Sequence, residues 1–175
     1  MLDDLDMKDP ATKATVATLV FSLVGIVSFF VYAQLSSYLL PNAIFYAVLI
    51  VNTFFSIRFF SRIAPENTSQ VIVDTILVLL YFGLALSMGR PIQFAFFALC
   101  IFIVASVKYA LLFRVIRHID VLKRKIRIDL IGTTACAAVL GLTILGPAFE
   151  AAWLAAIGFI IANVYLFFIR PMYRL

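Results

Sequence analysis

Residues 91–113 read PIQFAFFALCIFIVASVKYALLF, twenty-three positions that hold a single charge, Lys108. At 1.5 Å per residue a helix of that length reaches about 34 Å, enough to cross the roughly 30 Å hydrocarbon layer of a bilayer. A barrel strand is excluded by the lack of period-2 alternation. In lipid such a run can satisfy its backbone only as a helix. Five further stretches read the same way: Ala14–Leu35, Pro41–Phe60, Val71–Met88, Leu130–Leu145 and Pro147–Ile169. The fifth is short and reaches a comfortable span only by extending back to Ile126.

The rest of the composition agrees. Hydrophobic residues make up 65% of the 175 positions and the mean hydropathy is +1.11. A soluble domain is about 45–50% apolar. The expected fold is therefore all-α: a polytopic integral membrane protein with six transmembrane helices, forming one transmembrane domain over residues 1–175.

Charge sets the expected orientation. Lys8 and Lys13 precede the first span, and Arg58 and Arg62 follow the second. Lys108, Arg114, Arg117, Lys123, Arg124, Lys125 and Arg127 gather at or between the fourth and fifth, and Arg170 and Arg174 come last. Of the 14 Lys and Arg residues only Arg90 falls on the other side. The positive-inside rule then predicts both termini in the cytoplasm, N-in/C-in. The start of the chain is acidic (Asp3, Asp4, Asp6, Asp9), unlike a cleaved signal, so the first span is expected to remain as a helix. The expected location is the plasma (inner) membrane of a bacterium or archaeon.

The outer connections around Ser36–Leu40, Gly89–Arg90 and Gly146 are short, which predicts three helical hairpins. A proline follows each connection and opens the returning helix: Pro41, Pro91 and Pro147. Returning helices end in aromatics and arginines, and two outgoing helices carry Asp74 and Asp129 in similar places. These echoes mark 14–62, 71–118 and 126–175 as candidate parallel repeats, although convergence of apolar hairpins produces the same likeness.

Helix faces suggest an interior. The sixth span has Ala151, Ala155, Gly158 and Ala162 on one stripe, the fifth has Ala137 and Gly141, and the first has Ser22 and Gly25. Small residues let membrane helices approach closely, so spans one, five and six are expected to form the tight seam. Phe54, Phe55, Phe59, Phe60, Phe94, Phe96, Phe97 and Phe102 load the second and fourth spans and read as lipid or subunit contacts. Cys100 and Cys136 read as small apolar packing residues. The sequon Asn67-Thr68-Ser69 falls in a loop expected inside the cell and is discounted.

Ionisable groups within membrane segments are expensive and are the natural functional candidates. Asp74 and Asp129, with Arg58 and Lys108, form a candidate ion or proton site at an inner mouth. The competing use is a structural rim, with Arg58 or Arg62 paired to Asp74, and Arg114, Arg117 or Arg127 paired to Asp129. Glu150 is the single acid expected outside, and Asn52 and Asn163 can serve as interhelical hydrogen-bonding glue.

Enzymatic readings find no support. His118 is the lone histidine, no His/Cys/Glu cluster suits a metal, and no nucleophile elbow or Gly-rich phosphate loop is present. No enzyme activity, cofactor, metal or nucleic-acid partner is expected. Between residues 112 and 127, Leu112, Val115, Ile116, Ile119, Leu122 and Ile126 recur at helical spacing, with Arg114, Arg117, Arg124 and Lys125 opposite. This predicts a basic amphipathic helix that continues the fourth span and lies on the anionic inner leaflet. The functional expectation is a small channel-like or transport-type protein acting as a homo-oligomer. The rival is a membrane anchor, sensor or assembly subunit that docks a cytoplasmic or membrane protein partner, or anionic lipid, through its basic inner face.

Overall fold

The structure, a computed structural model, describes residues 9–33, 36–63, 67–113 and 119–171. Six long helices carry the chain: α1 Pro10–Tyr32, α2 Leu39–Ile63, α3 Thr68–Leu86, α4 Pro91–Leu112, α5 Ile119–Leu145 and α6 Ala148–Val164. A π-helical turn, Tyr165–Ile169, extends α6. All six, with that turn counted in the last, are long and apolar enough to cross a membrane. No strand occurs among the described residues. The protein is thus an all-α, multi-pass integral membrane protein.

Local chemistry explains the helix limits. Asp9 caps α1, its carboxylate accepting from Thr12 N at 2.9 Å and Thr12 Oγ1 at 3.0 Å, with Pro10 opening the helix. Asn67 caps α3 by accepting from Gln70 N at 2.9 Å. The sequon asparagine is therefore engaged as a helix cap. Between α5 and α6 the chain reverses at Gly146, whose φ of +125° is open to glycine and strained for other residues.

Two boundaries differ from the sequence reading. The fifth span does not begin near Ile126: α5 runs unbroken from Ile119. Residues 119–127, expected to continue the fourth span, instead form the first turns of α5. Arg114, Arg117 and His118 lie outside the described residues.

The helices close into a ring in the order α1, α2, α6, α5, α4, α3, and α3 returns to α1. Aromatic side chains fill its middle. Phe45 of α2 stacks on Phe159 of α6 at 4.6 Å and meets Phe94 of α4 edge-on at 5.8 Å. Phe102 of α4 meets Phe159 at 5.9 Å. Phe94 and Phe102, expected on the lipid or subunit face with Phe60, are buried, as is Phe60 itself, whereas Phe55 and Phe96 are exposed. For Phe102 the physical reason is a notch: a Cβ on Gly132 of α5 would stand 2.6 Å from its ring, so the missing side chain is what seats it; Phe94 is held by Phe45 and Phe60 by Tyr109.

The outside is strongly apolar. Phe30 is 73% exposed, Ile131 69% and Phe168 79%. That is the surface a bilayer requires, since lipid tails are as apolar as a protein core.

Candidate functional site

A cavity of about 230 Å³ opens among the amino-terminal halves of α1, α3 and α5 and the carboxy-terminal halves of α2 and α4. Along α2 its wall runs from Ser61 to Leu49, roughly 18 Å at 1.5 Å per residue. This is about half of a bilayer's hydrocarbon thickness. Below it sits the Phe45–Phe94–Phe159 aromatic cluster, so the cavity is a blind vestibule rather than a pore through the ring.

Its floor is apolar. Phe21 of α1 stacks on Tyr81 of α3 at 4.6 Å, and Leu49, Ile101 and Phe102 complete that surface. Its sides are polar. Thr53 and Ser56 present hydroxyls from successive turns of α2: Thr53 Oγ1 is hydrogen-bonded to Tyr81 Oη, and Ser56 Oγ to Tyr109 Oη at 2.7 Å. Gln70 and Asn52, both buried, add amides from α3 and α2.

Two ion pairs stand in the wall. Lys108 Nζ of α4 donates to Asp74 Oδ1 of α3 at 2.5 Å, with side chains 17% and 42% exposed. This pair reaches the surface and ties two helices together. Lys125 Nζ donates to Asp129 Oδ1 at 2.7 Å, one turn along α5, with side chains 6% and 1% exposed. Lys125 also lies over the Tyr109 ring, 5.2 Å from its centroid. Asp129 Oδ2 is buried with no hydrogen-bond partner among the described residues.

Sequence reasoning picked both acids and Lys108, and the structure brings Asp74, Asp129 and Lys108 to one cavity. It assigned the wrong partners. Asp74 pairs with Lys108 rather than Arg58 or Arg62, and Asp129 pairs with Lys125 rather than Arg127. Arg58 is half-buried outside the cavity wall, and its Nε has no hydrogen bond among the described residues.

Lys125, expected on a lipid-facing basic surface, turns inward because it falls on the buried stripe Leu122, Lys125, Asp129, Cys136 of α5. Its neighbours Lys123 and Arg127 are exposed, and Arg124 Nη2 donates to the Arg170 carbonyl at 2.5 Å. Among the cavity residues missed were Lys13, Thr53, Ser56, Gln70, Tyr81 and Tyr109. For Lys125 a signal existed: its three- and four-residue spacing to Leu122 and Asp129.

The small-residue stripes are placed unevenly. Ala151 is buried and Ala155 half-buried, whereas Gly158, Ala162 and Ala137 are exposed. Gly141 and Gly158 have nothing within 4 Å of where a Cβ would stand. The close approaches within one chain lie elsewhere, at Gly25 against Tyr46, Gly83 against Phe97 and Gly89 against Tyr32. Asn163 donates to Phe159 O of its own helix at 2.8 Å rather than across helices. Cys100 and Cys136 are both free thiols. Among the described residues no group of His, Cys, Asp and Glu is arranged to hold a metal.

Comparison of the chain with protein-family models, with curated proteins and with solved structures finds no match.

Proposed function

We propose that this protein is of the transport type and binds a small solute in the vestibule, without enzymatic chemistry. The observation that carries this reading is the cavity itself: a concave space with apolar floor and a few convergent polar groups, the usual build of a small-ligand site. The aromatic cluster beneath it favours gated passage over an open channel, because a continuous pore would need that packing to part. The vestibule lies at the end rich in Lys and Arg, so under the positive-inside rule it faces the cytoplasm, with both termini inside. Homo-oligomerisation belongs to the same proposal and would use the exposed small residues Ala137, Gly158 and Ala162, where a second backbone can approach closely. Exposed Lys123 and Arg127 suit anionic lipid headgroups of the inner leaflet.

The test needs no knowledge of the solute. In a background with Cys100 and Cys136 replaced by Ala, Ser56→Cys places a single thiol in the cavity wall. A membrane-impermeant maleimide should react quickly from the N-terminal side and slowly, but measurably, from the opposite side as the plug opens. Marker thiols at Ser69 and Ser37, both exposed, report the two faces. Labelling of Ser56→Cys from one side alone would reject transport and leave the anchor or sensor reading.

A further inference from the structure

We infer that the vestibule is built for a small zwitterion with an apolar body, of the free amino acid type. The ligand's carboxylate is held by Lys108 and its ammonium by Asp129. This rests on the reading of the cavity as a solute site.

The wall offers a ligand both signs of charge. Lys108–Asp74 and Lys125–Asp129 each set an ammonium beside a carboxylate, and Lys13 adds a further ammonium to the lining. A lone cation or anion engages wall groups of one sign only. A zwitterion brings both charges and no net one.

Each charge of such a ligand has a partner in the wall. A lysine ammonium has three donors, and the one hydrogen bond found for Lys108 goes to Asp74 Oδ1. The remaining donors of this part-exposed side chain suit a carboxylate. Asp129 Oδ2, in a side chain 1% exposed, is an acceptor without a donor among the described residues. Such a buried acceptor is costly unless something supplies the missing hydrogen, and a ligand ammonium does so. The χ2 torsion of an aspartate is soft, so presenting that oxygen to a guest needs no backbone movement.

The floor specifies the ligand's other end. Phe21, Tyr81 and Phe102 offer aromatic surface, and Leu49 and Ile101 offer aliphatic surface. As for size, an apolar cavity of about 150 Å³ accepts benzene. The 230 Å³ here leaves room for a ring plus a short charged head.

The experiment compares three probes of one shape on purified protein in nanodiscs by isothermal titration calorimetry: L-phenylalanine, phenethylamine and 3-phenylpropionate. L-phenylalanine should bind at least tenfold more tightly than either singly charged probe. Lys108→Gln should weaken L-phenylalanine at least tenfold without weakening phenethylamine. Asp129→Asn should weaken L-phenylalanine equally without weakening 3-phenylpropionate. The wild-type series decides the matter even if a variant fails to fold. Equal binding of all three probes, or tighter binding of phenethylamine or 3-phenylpropionate, overturns the inference. So does binding by none of them; the solute-site reading then stands or falls separately on two-sided labelling at Ser56→Cys.

Discussion

At one end of the ring, Asn42 Nδ2 donates to the Met88 carbonyl at 2.8 Å and Tyr32 Oη to the Leu86 carbonyl at 3.0 Å. Side chains there close on backbone, and a neighbouring space measures about 20 Å³. At the other end the polar side chains close on one another, in two Lys–Asp pairs and two hydroxyl–tyrosine bonds, around a cavity more than ten times larger. Both ends are made from the same apolar helices. The difference is where the polar groups are directed: toward carbonyls that need a donor, or toward a space that needs an occupant. Polar groups that clamp backbone make a fixed end. Polar groups that pair side chain to side chain can exchange partners, and such an end suits binding.

The comparison breaks most visibly at Lys125. Removing one partner of a buried pair leaves an uncompensated charge, which costs about 3 kcal/mol, whereas replacing both by apolar groups is often neutral. Lys125→Met should therefore lower stability by about 3 kcal/mol in detergent unfolding. The double variant Lys125→Met with Asp129→Leu should recover to within about 1 kcal/mol of wild type. If the single variant is as stable as wild type, the pair is not buried in the wall, and the contrast between the ends fails.

A second test sharpens the packing side of the contrast. A Cβ at Gly25 would meet Tyr46 Cε1 at 2.5 Å, and that tyrosine is fixed by its hydroxyl donating to the Phe21 carbonyl at 3.0 Å. Gly25→Ala should cost about 1–2 kcal/mol through overpacking, despite the roughly 1 kcal/mol that alanine gains over glycine in a helix. Gly158→Ala meets nothing within 4 Å and should be neutral or slightly stabilising. Thermal unfolding of the two variants side by side gives the ranking. A costly Gly158→Ala would instead place that face against another copy of the chain.

Several of these distinctions were legible in the sequence. Six spans and a charged end follow from run length and from the positions of Lys and Arg. The locations of Asp74, Asp129 and Lys108 near one end follow from their offsets along their spans. Their partners were not legible, because a partner across helices depends on which helices are neighbours. The ring order, in which α3 packs between α1 and α4, cannot be read from any one helix. For Lys125 the difficulty was different: positive charges near a membrane invite a surface reading, and only the core stripe of α5 outweighs it. The buried Phe residues mislead for a related reason. In a membrane protein, phenylalanine suits lipid and core equally, and glycine notches such as Gly132 decide between them.

The smallest expected effect concerns the mouth of the charged end, where α1 begins. The Asp9 carboxyl is held below its ordinary value of 3.8 by hydrogen bonds from the Thr12 backbone and hydroxyl. A carboxyl with a depressed folded value stabilises the fold above its unfolded value, and that contribution is lost as pH falls through the lower folded value. At pH 7 the charged cap should therefore protect the first turn of α1, and below about pH 3.8 the protection should fade. Asn is an equally good cap without the charge, so Asp9→Asn isolates the electrostatic part. Amide exchange at Thr12 and Lys13 should be faster in Asp9→Asn than in wild type at pH 7, after correction for intrinsic rates. The two should converge as pH drops below the carboxyl's folded value. A difference that persists there would mean that the cap acts by shape rather than charge. The loosening should stay in the first turn, because helix-end electrostatics fall off within that distance.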